Sequence, residues 1–160
     1  MRLFVDSAFA ACLLSLAPCL APAAEPVRVV GVVDGDTIRV IRQGKQERVR
    51  LHGIDAPETG LAFGRSAART LGALLRDREA SIEPTSRDRY GRTVALVYAG
   101  ADVVNREMVK MGRAWVWPRY CVQDYCRDWR RDQDAARKSR LGLWRERSPI
   151  PPWDWRARGR

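Results

Sequence analysis

Histidine is almost missing from this chain of 160 residues, in which His52 stands alone. A Ser-His-Asp triad would have to use that one ring, and no nucleophile-elbow pattern accompanies it. Cysteine is scarce too. Of four cysteines, Cys12 and Cys19 fall in an apolar N-terminal segment, which leaves Cys121 and Cys126. Two thiols and one imidazole do not make a four-ligand thiolate zinc site. Apolar runs are short: none reaches the roughly 20 residues of a bilayer-spanning helix. No internal repeat is present, and the length suits one compact domain.

What is there begins with Met1-Arg2, an apolar stretch from Ala8 to Leu20, and Ala21-Pro22-Ala23-Ala24. These are the three regions of a secretory signal peptide, with cleavage expected after Ala23. The chain thus divides into a leader at 1–23, one domain at 26–147, and a tail at 148–160 rich in proline, tryptophan and arginine. The mature protein is expected in the periplasm or outside the cell, as a monomer without stable membrane insertion. In such a compartment the pair Cys121 and Cys126 reads as a disulfide. Losing Arg2 and Asp6 with the leader removes one charge of each sign, so the net charge stays at +10. A cationic surface attracts polyanions such as nucleic acid or anionic lipid, although charge alone equally describes a solvated face.

The coarse pattern is of short strands. Val27 to Val33, Thr37 to Ile41 and Glu47 to Leu51 arrive in succession, broken by Asp34-Gly35-Asp36 and by Gln43-Gly44-Lys45. A helix follows over Arg65 to Leu75, then strands over Ala80 to Thr85 and Thr93 to Tyr98. Asp102 reads as the N-cap of a helix running to Met111, and a last helix spans Cys126 to Ser139. Five strands with an inserted helix and trailing helices predict a β-barrel of the five-stranded OB-fold type, a fold whose strand face and loops often bind oligonucleotides.

Chemistry concentrates in Asp34-Gly35-Asp36-Thr37 and in Arg50-Leu51-His52-Gly53-Ile54-Asp55-Ala56-Pro57-Glu58. Carboxylates at strand ends can gather round a hard cation that takes oxygen ligands, though Asp-Gly-Asp by itself is equally a plain turn. With DRYGR at 88–92 and RLGLW at 140–144 in the same order, the sequence from Val27 to Trp144 resembles the staphylococcal nuclease (thermonuclease) family. That resemblance implies a nuclease on an OB-fold barrel with added helices. It implies one calcium ion held by the carboxylates of Asp36 and Asp55 and the backbone carbonyl of Ala56, with Asp34 in support. Glu58 matches the glutamate that orients or deprotonates the attacking water, and Arg50 and Arg92 match the arginines that clamp phosphate. The implied partner is DNA, RNA or both, with little base specificity.

The remaining residues of note read as structural or as accessory. His52 follows Leu51 in an alternating strand, so it is expected to face away from the barrel core and to serve structure rather than catalysis. Trp115 suits the core, whereas Tyr90, Trp117 and Tyr120 could stack on bases. Trp129, Gln133 and Ala136 share one face of the last helix and should pack it on the barrel. Trp153 and Trp155 of the tail are expected to fold back onto the domain.

Overall fold

The computed structural model describes residues 24–159, so the leader assigned to residues 1–23 lies outside the described residues. The elements are β1 (Glu25–Val32), β2 (Thr37–Arg42), β3 (Lys45–Leu51), β4 (Ile54–Asp55), α1 (Gly64–Leu75), β5 (Ala80–Arg87), β6 (Thr93–Ala99), β7 (Asp102–Val103), α2 (Val104–Lys110), β8 (Trp115–Val116), α3 (Cys126–Lys138), a 3-10 turn (Gly142–Arg145) and α4 (Pro152–Arg158). Among the described residues no helix is long and apolar enough to cross a membrane.

β1 pairs antiparallel with β2 and β5, β2 with β3, and β5 with β6. A parallel pairing of β3 with β6, Val49 opposite Thr93 and Leu51 opposite Ala95, closes the five strands into the expected OB-fold barrel. Closure removes the open sheet edges that would otherwise invite aggregation. Side-chain alternation fills the interior with Ile38, Val40, Val49, Leu51, Ile82 and Val97, all at most 1% exposed. The same alternation turns Arg50, between Val49 and Leu51, to the other face.

Ala67, Leu71 and Leu75 repeat every fourth residue along α1 and bury its stripe against the core shared with Met108 and Val109 of α2. Asn105 stitches this helix to the barrel: its Nδ2 donates to the His52 and Ala95 carbonyls at 3.0 and 3.2 Å, and its Oδ1 accepts from the Val97 amide at 2.8 Å. The helix begins at Val104, and Asp102 is not its N-cap. Asp102 instead pairs with Ala99 in β7, and its carboxylate accepts from Arg78 Nη2 at 2.7 Å. The ion pair and the strand register hold the carboxylate away from the free amides of the first turn.

Trp129 and Ala136 are buried along α3, and Gln133 Oε1 accepts from the Val116 amide at 2.8 Å, so the predicted face does pack on the domain. Cys121 and Cys126 form a disulfide with Cα atoms 5.6 Å apart, tying the segment after β8 to the start of α3. Trp115 and Trp144 meet edge to face at 5.4 Å in a second cluster with Ala136 and Leu143. The tail folds into α4. Trp153 stacks on Trp117, 5.9 Å between rings inclined by 8°, while Trp155 remains 44% exposed. Only the first of the two tail tryptophans therefore packs, because two positions along an α-helix turn the side chain by about 200°, which brings one indole to the domain and leaves the other in water.

Candidate active site

Strand register explains why residues far apart in sequence meet. Arg50 on β3 lies opposite Thr37 on β2 and opposite Val94 on β6. Its neighbours are therefore Asp36, which precedes Thr37, and the end of the β5–β6 hairpin that carries Arg92. The two-residue strand β4 then brings Asp55 and Ala56 back to the same place.

Asp36 is the hub. Asp34 Oδ1 accepts the Asp36 amide at 3.0 Å, a local turn that folds the chain so that Asp36 points inward. Asp36 Oδ1 accepts from the Thr37 hydroxyl at 3.1 Å and from Arg50 Nη1, and Oδ2 accepts from the Ala56 amide at 2.8 Å. Arg50 Nη2 donates to Asp55 Oδ1 at 2.9 Å and to the Ile54 carbonyl at 3.2 Å. Asp55 Oδ2 accepts from Arg156 Nη2 at 2.5 Å, and Arg156 Nη1 reaches Glu58 Oε1 at 2.8 Å.

The carboxylates crowd one another electrically. Burial, followed by the charge of Asp36, pushes Asp34 up to about 6. The same two causes push Asp55 up to about 6, against which Arg50 and Arg156 compensate only in part. Burial would raise Asp36 as well, but the Arg50 charge and hydrogen bond and the Ala56 amide outweigh it and hold its carboxyl below the ordinary range. Arg50, although buried, is kept charged by Asp36 and Asp55.

Arg92 sits at the hairpin between β5 and β6. Its Nε donates to Asp88 Oδ2 at 2.6 Å, and its guanidinium lies 5.5 Å from the Tyr90 ring centre. Among the described residues neither terminal nitrogen of Arg92 has a hydrogen-bond partner, so the fork keeps its donors for something else. One cavity of about 890 Å³ is lined by Asp34, Asp36, Arg50, Asp55, Ala56, Glu58 and Arg92 together. Trp117, Tyr120 and Tyr90 line it too, with Arg50 5.7 Å from the Trp117 ring centre.

A family model described as staphylococcal nuclease homologue matches residues 48–146, more than half of the chain. This protein belongs to the staphylococcal nuclease family. It is 40% identical over 132 residues to an uncharacterized endonuclease of Escherichia coli, covering 82% of this chain and 84% of that protein. It is 38% identical over 137 residues to a micrococcal nuclease of Shigella flexneri, covering 80% and 78%. An uncharacterized endonuclease of Haemophilus influenzae is 38% identical over 130 residues, covering 81% and 71%. The chain is a nuclease, a hydrolase whose substrate is nucleic acid.

In this staphylococcal nuclease homologue every residue singled out from sequence for metal, water or phosphate lies on the same cavity. His52 also borders it, yet the ring is only 7% exposed and both nitrogens are engaged, Nε2 with Gln123 Oε1 and Nδ1 with Thr85 Oγ1, each at 3.1 Å. Thr85 reaches it because β5 has a register irregularity between Pro84 and Ser86. Sequence reading missed Arg156, which lies beyond the matched residues and 98 and 101 positions from its partners. The one signal available was the alternation of tryptophan and arginine in the tail.

Proposed function

We propose that this nuclease is exported and calcium-dependent, hydrolysing DNA, RNA or both with little regard to base. The observation that carries the reading is the convergence of Asp34, Asp36 and Asp55 on one cavity, where burial and then the charge of Asp36 push the other two carboxyls up. A cation placed among them relieves that repulsion. Among the described residues no group of three or more histidine, cysteine, aspartate or glutamate side chains is gathered into a ready metal cage. Calcium suits such a site better than zinc, because it accepts backbone carbonyls and water beside a few carboxylates and tolerates irregular geometry. Asp36 and Asp55 would hold it with the Ala56 carbonyl, and Asp34 would add negative charge nearby. When bound, the ion supplies positive charge against the phosphate oxygens.

The protein groups divide the remaining work. Arg50 is oriented by Asp36, Asp55 and the Ile54 carbonyl, so its planar fork is fixed before substrate arrives. Arg92 is oriented through Nε alone and offers two terminal donors to the same phosphodiester. Glu58, 42% exposed at the side chain, is open to water and would orient or deprotonate the attacking molecule. Tyr90, Trp117 and Tyr120 offer faces to bases without reading their edges. The disulfide, a bond that persists in oxidising compartments, supports export.

The test is incubation of the mature protein with single-stranded DNA and RNA in calcium, in magnesium and in excess chelator, followed by single-turnover cleavage with Arg50→Lys and Arg92→Lys. Calcium should support cleavage best and chelator should abolish it. Each lysine variant should cut on the order of a hundredfold more slowly while binding nucleic acid within a few fold. Full activity in chelator would remove calcium from the reading, and wild-type rates in both lysine variants would remove the arginine clamp.

A further inference from the structure

We propose that Arg156 is a tethered counter-ion that competes with the metal for Asp55 while also holding Glu58, so that α4 is a latch over the nuclease site which cation binding releases. This rests on the calcium reading above. Arg156 Nη2 lies 2.5 Å from Asp55 Oδ2 and Nη1 2.8 Å from Glu58 Oε1. Arg50 already holds Asp55 Oδ1, so both oxygens of that carboxylate, itself 1% exposed, are occupied by guanidinium donors. A cation that takes Asp55 as ligand shares the carboxylate with two guanidinium charges that repel it, and that repulsion favours release of one of them.

The weaker anchor decides which. Arg50 is 13% exposed, stands in the middle of a barrel wall, and is also fixed by Asp36 and the Ile54 carbonyl. Arg156 is 32% exposed and rides on a seven-residue helix whose only buried residue is Pro152. Its hold on the domain is the stack of Trp153 on Trp117 and its own approach, 5.5 Å, to the Trp117 ring centre. Short helices with so little burial detach at small cost.

The experiment is calcium titration by calorimetry on the full mature chain and on Arg156→Ala, with near-ultraviolet circular dichroism of the Trp117–Trp153 stack recorded alongside. Arg156→Ala is expected to bind calcium about tenfold more tightly, the effect of removing two partly exposed charge-assisted contacts that compete with the ion. In the wild type, calcium should diminish the stacked-indole signal. Equal or weaker calcium binding by the variant overturns the latch while leaving the calcium reading intact. Unchanged calcium affinity with weaker nucleotide binding makes Arg156 a substrate arm and also overturns it. No calcium binding by either protein overturns the calcium reading and the latch together.

A different observation points to a second binding surface. Arg65, Arg69, Arg113 and Arg145 line a separate cavity of about 630 Å³ with Ser66, and no acidic residue borders it. Thr59 lines this cavity and Glu58 the active one, so the two adjoin across a single peptide link. Arg65 and Arg69 stand one turn apart on α1, where like charges oppose helix formation. Arg113 donates Nη1 to Ser66 Oγ at 2.7 Å, yet its buried Nε has no partner. The geometry assigns this cavity to the phosphates of the nucleic-acid strand flanking the bond to be cleaved.

Binding of a 4-mer and a 16-mer single-stranded DNA in chelator, across a salt series, tests it with Arg65→Ala/Arg69→Ala and with Arg127→Ala/Arg131→Ala. The second pair removes the same charge from α3, where the side chains are 71% and 79% exposed. The first pair should weaken the 16-mer about tenfold, leave the 4-mer unchanged and flatten the salt slope by about 1.4, the loss of two phosphate contacts on a single strand. Equal losses for both lengths, or equal losses from both pairs, would show that overall charge and not this cavity is responsible.

Discussion

Alanine at Gly53 should destabilise the domain by about 2–5 kcal/mol, and the structure separates that cost into two parts. Gly53 turns the chain from β3 into β4 at φ +73°, where a side chain costs about 1–2 kcal/mol. A Cβ there would lie 2.9 Å from Cys121 Sγ and 3.2 Å from Trp129 Cζ3. Neither atom can swing aside, because the sulfur is bonded to Cys126 and the indole is buried, so overpacking adds roughly 1–3 kcal/mol. Gly44 is the internal control: its φ is +77°, and a Cβ there meets nothing within 4 Å. Gly44→Ala should therefore show the backbone part alone. In a Cys121→Ala/Cys126→Ala background the cost of Gly53→Ala should fall toward that of Gly44→Ala, because the sulfur contact is gone. Urea unfolding followed by tryptophan fluorescence, with equal m-values required, reads all five proteins. Equal costs for the two glycines, or no coupling to the disulfide, would refute the argument. The strain should also reach the site, since the Gly53 carbonyl accepts the Trp117 amide at 2.8 Å and Asp55 is two residues on.

Three further outcomes are expected. Thiol titration of the denatured, unreduced mature protein should find no free thiol, and removing the disulfide, with its sequence separation of 5, should cost about 2 kcal/mol in urea unfolding. Asp34, at about 6 folded against 3.8 ordinarily, holds its proton more tightly in the folded state, so its ionisation lowers stability as pH rises through that interval. Asp34→Asn in chelator should then be neutral below pH 3.8 and more stable by about 1–2 kcal/mol at pH 7, discounted for partial exposure; a gap in urea midpoints that does not grow with pH would contradict this. Asn105→Ala removes all three bonds between α2 and the barrel and should cost about 3–5 kcal/mol by thermal unfolding, whereas a loss under 1 kcal/mol would mean that water replaces the amide.

Much of this protein could be read from sequence because the relevant forces act locally. Alternation along a strand is set by the pleat, so Ile38, Val40, Val49 and Leu51 declare a core face, and Arg50, lying between two of them, declares the other. Asp34-Gly35-Asp36 declares a turn, and its resemblance to a known family supplied roles for residues that the register later brings to one cavity. The N-cap assigned to Asp102 failed for the complementary reason: a partner distant in sequence, Arg78, claims that carboxylate. Tertiary closure alone decided that β3 runs parallel to β6, that Asn105 bridges the His52 and Ala95 carbonyls, and that Thr85 and Gln123 share the His52 ring. It also decided that Arg156 rests on Asp55 and Glu58. Such contacts depend on where separate segments lie once the barrel has shut. A carboxylate crowded by its neighbours takes whichever cation the finished fold brings within reach.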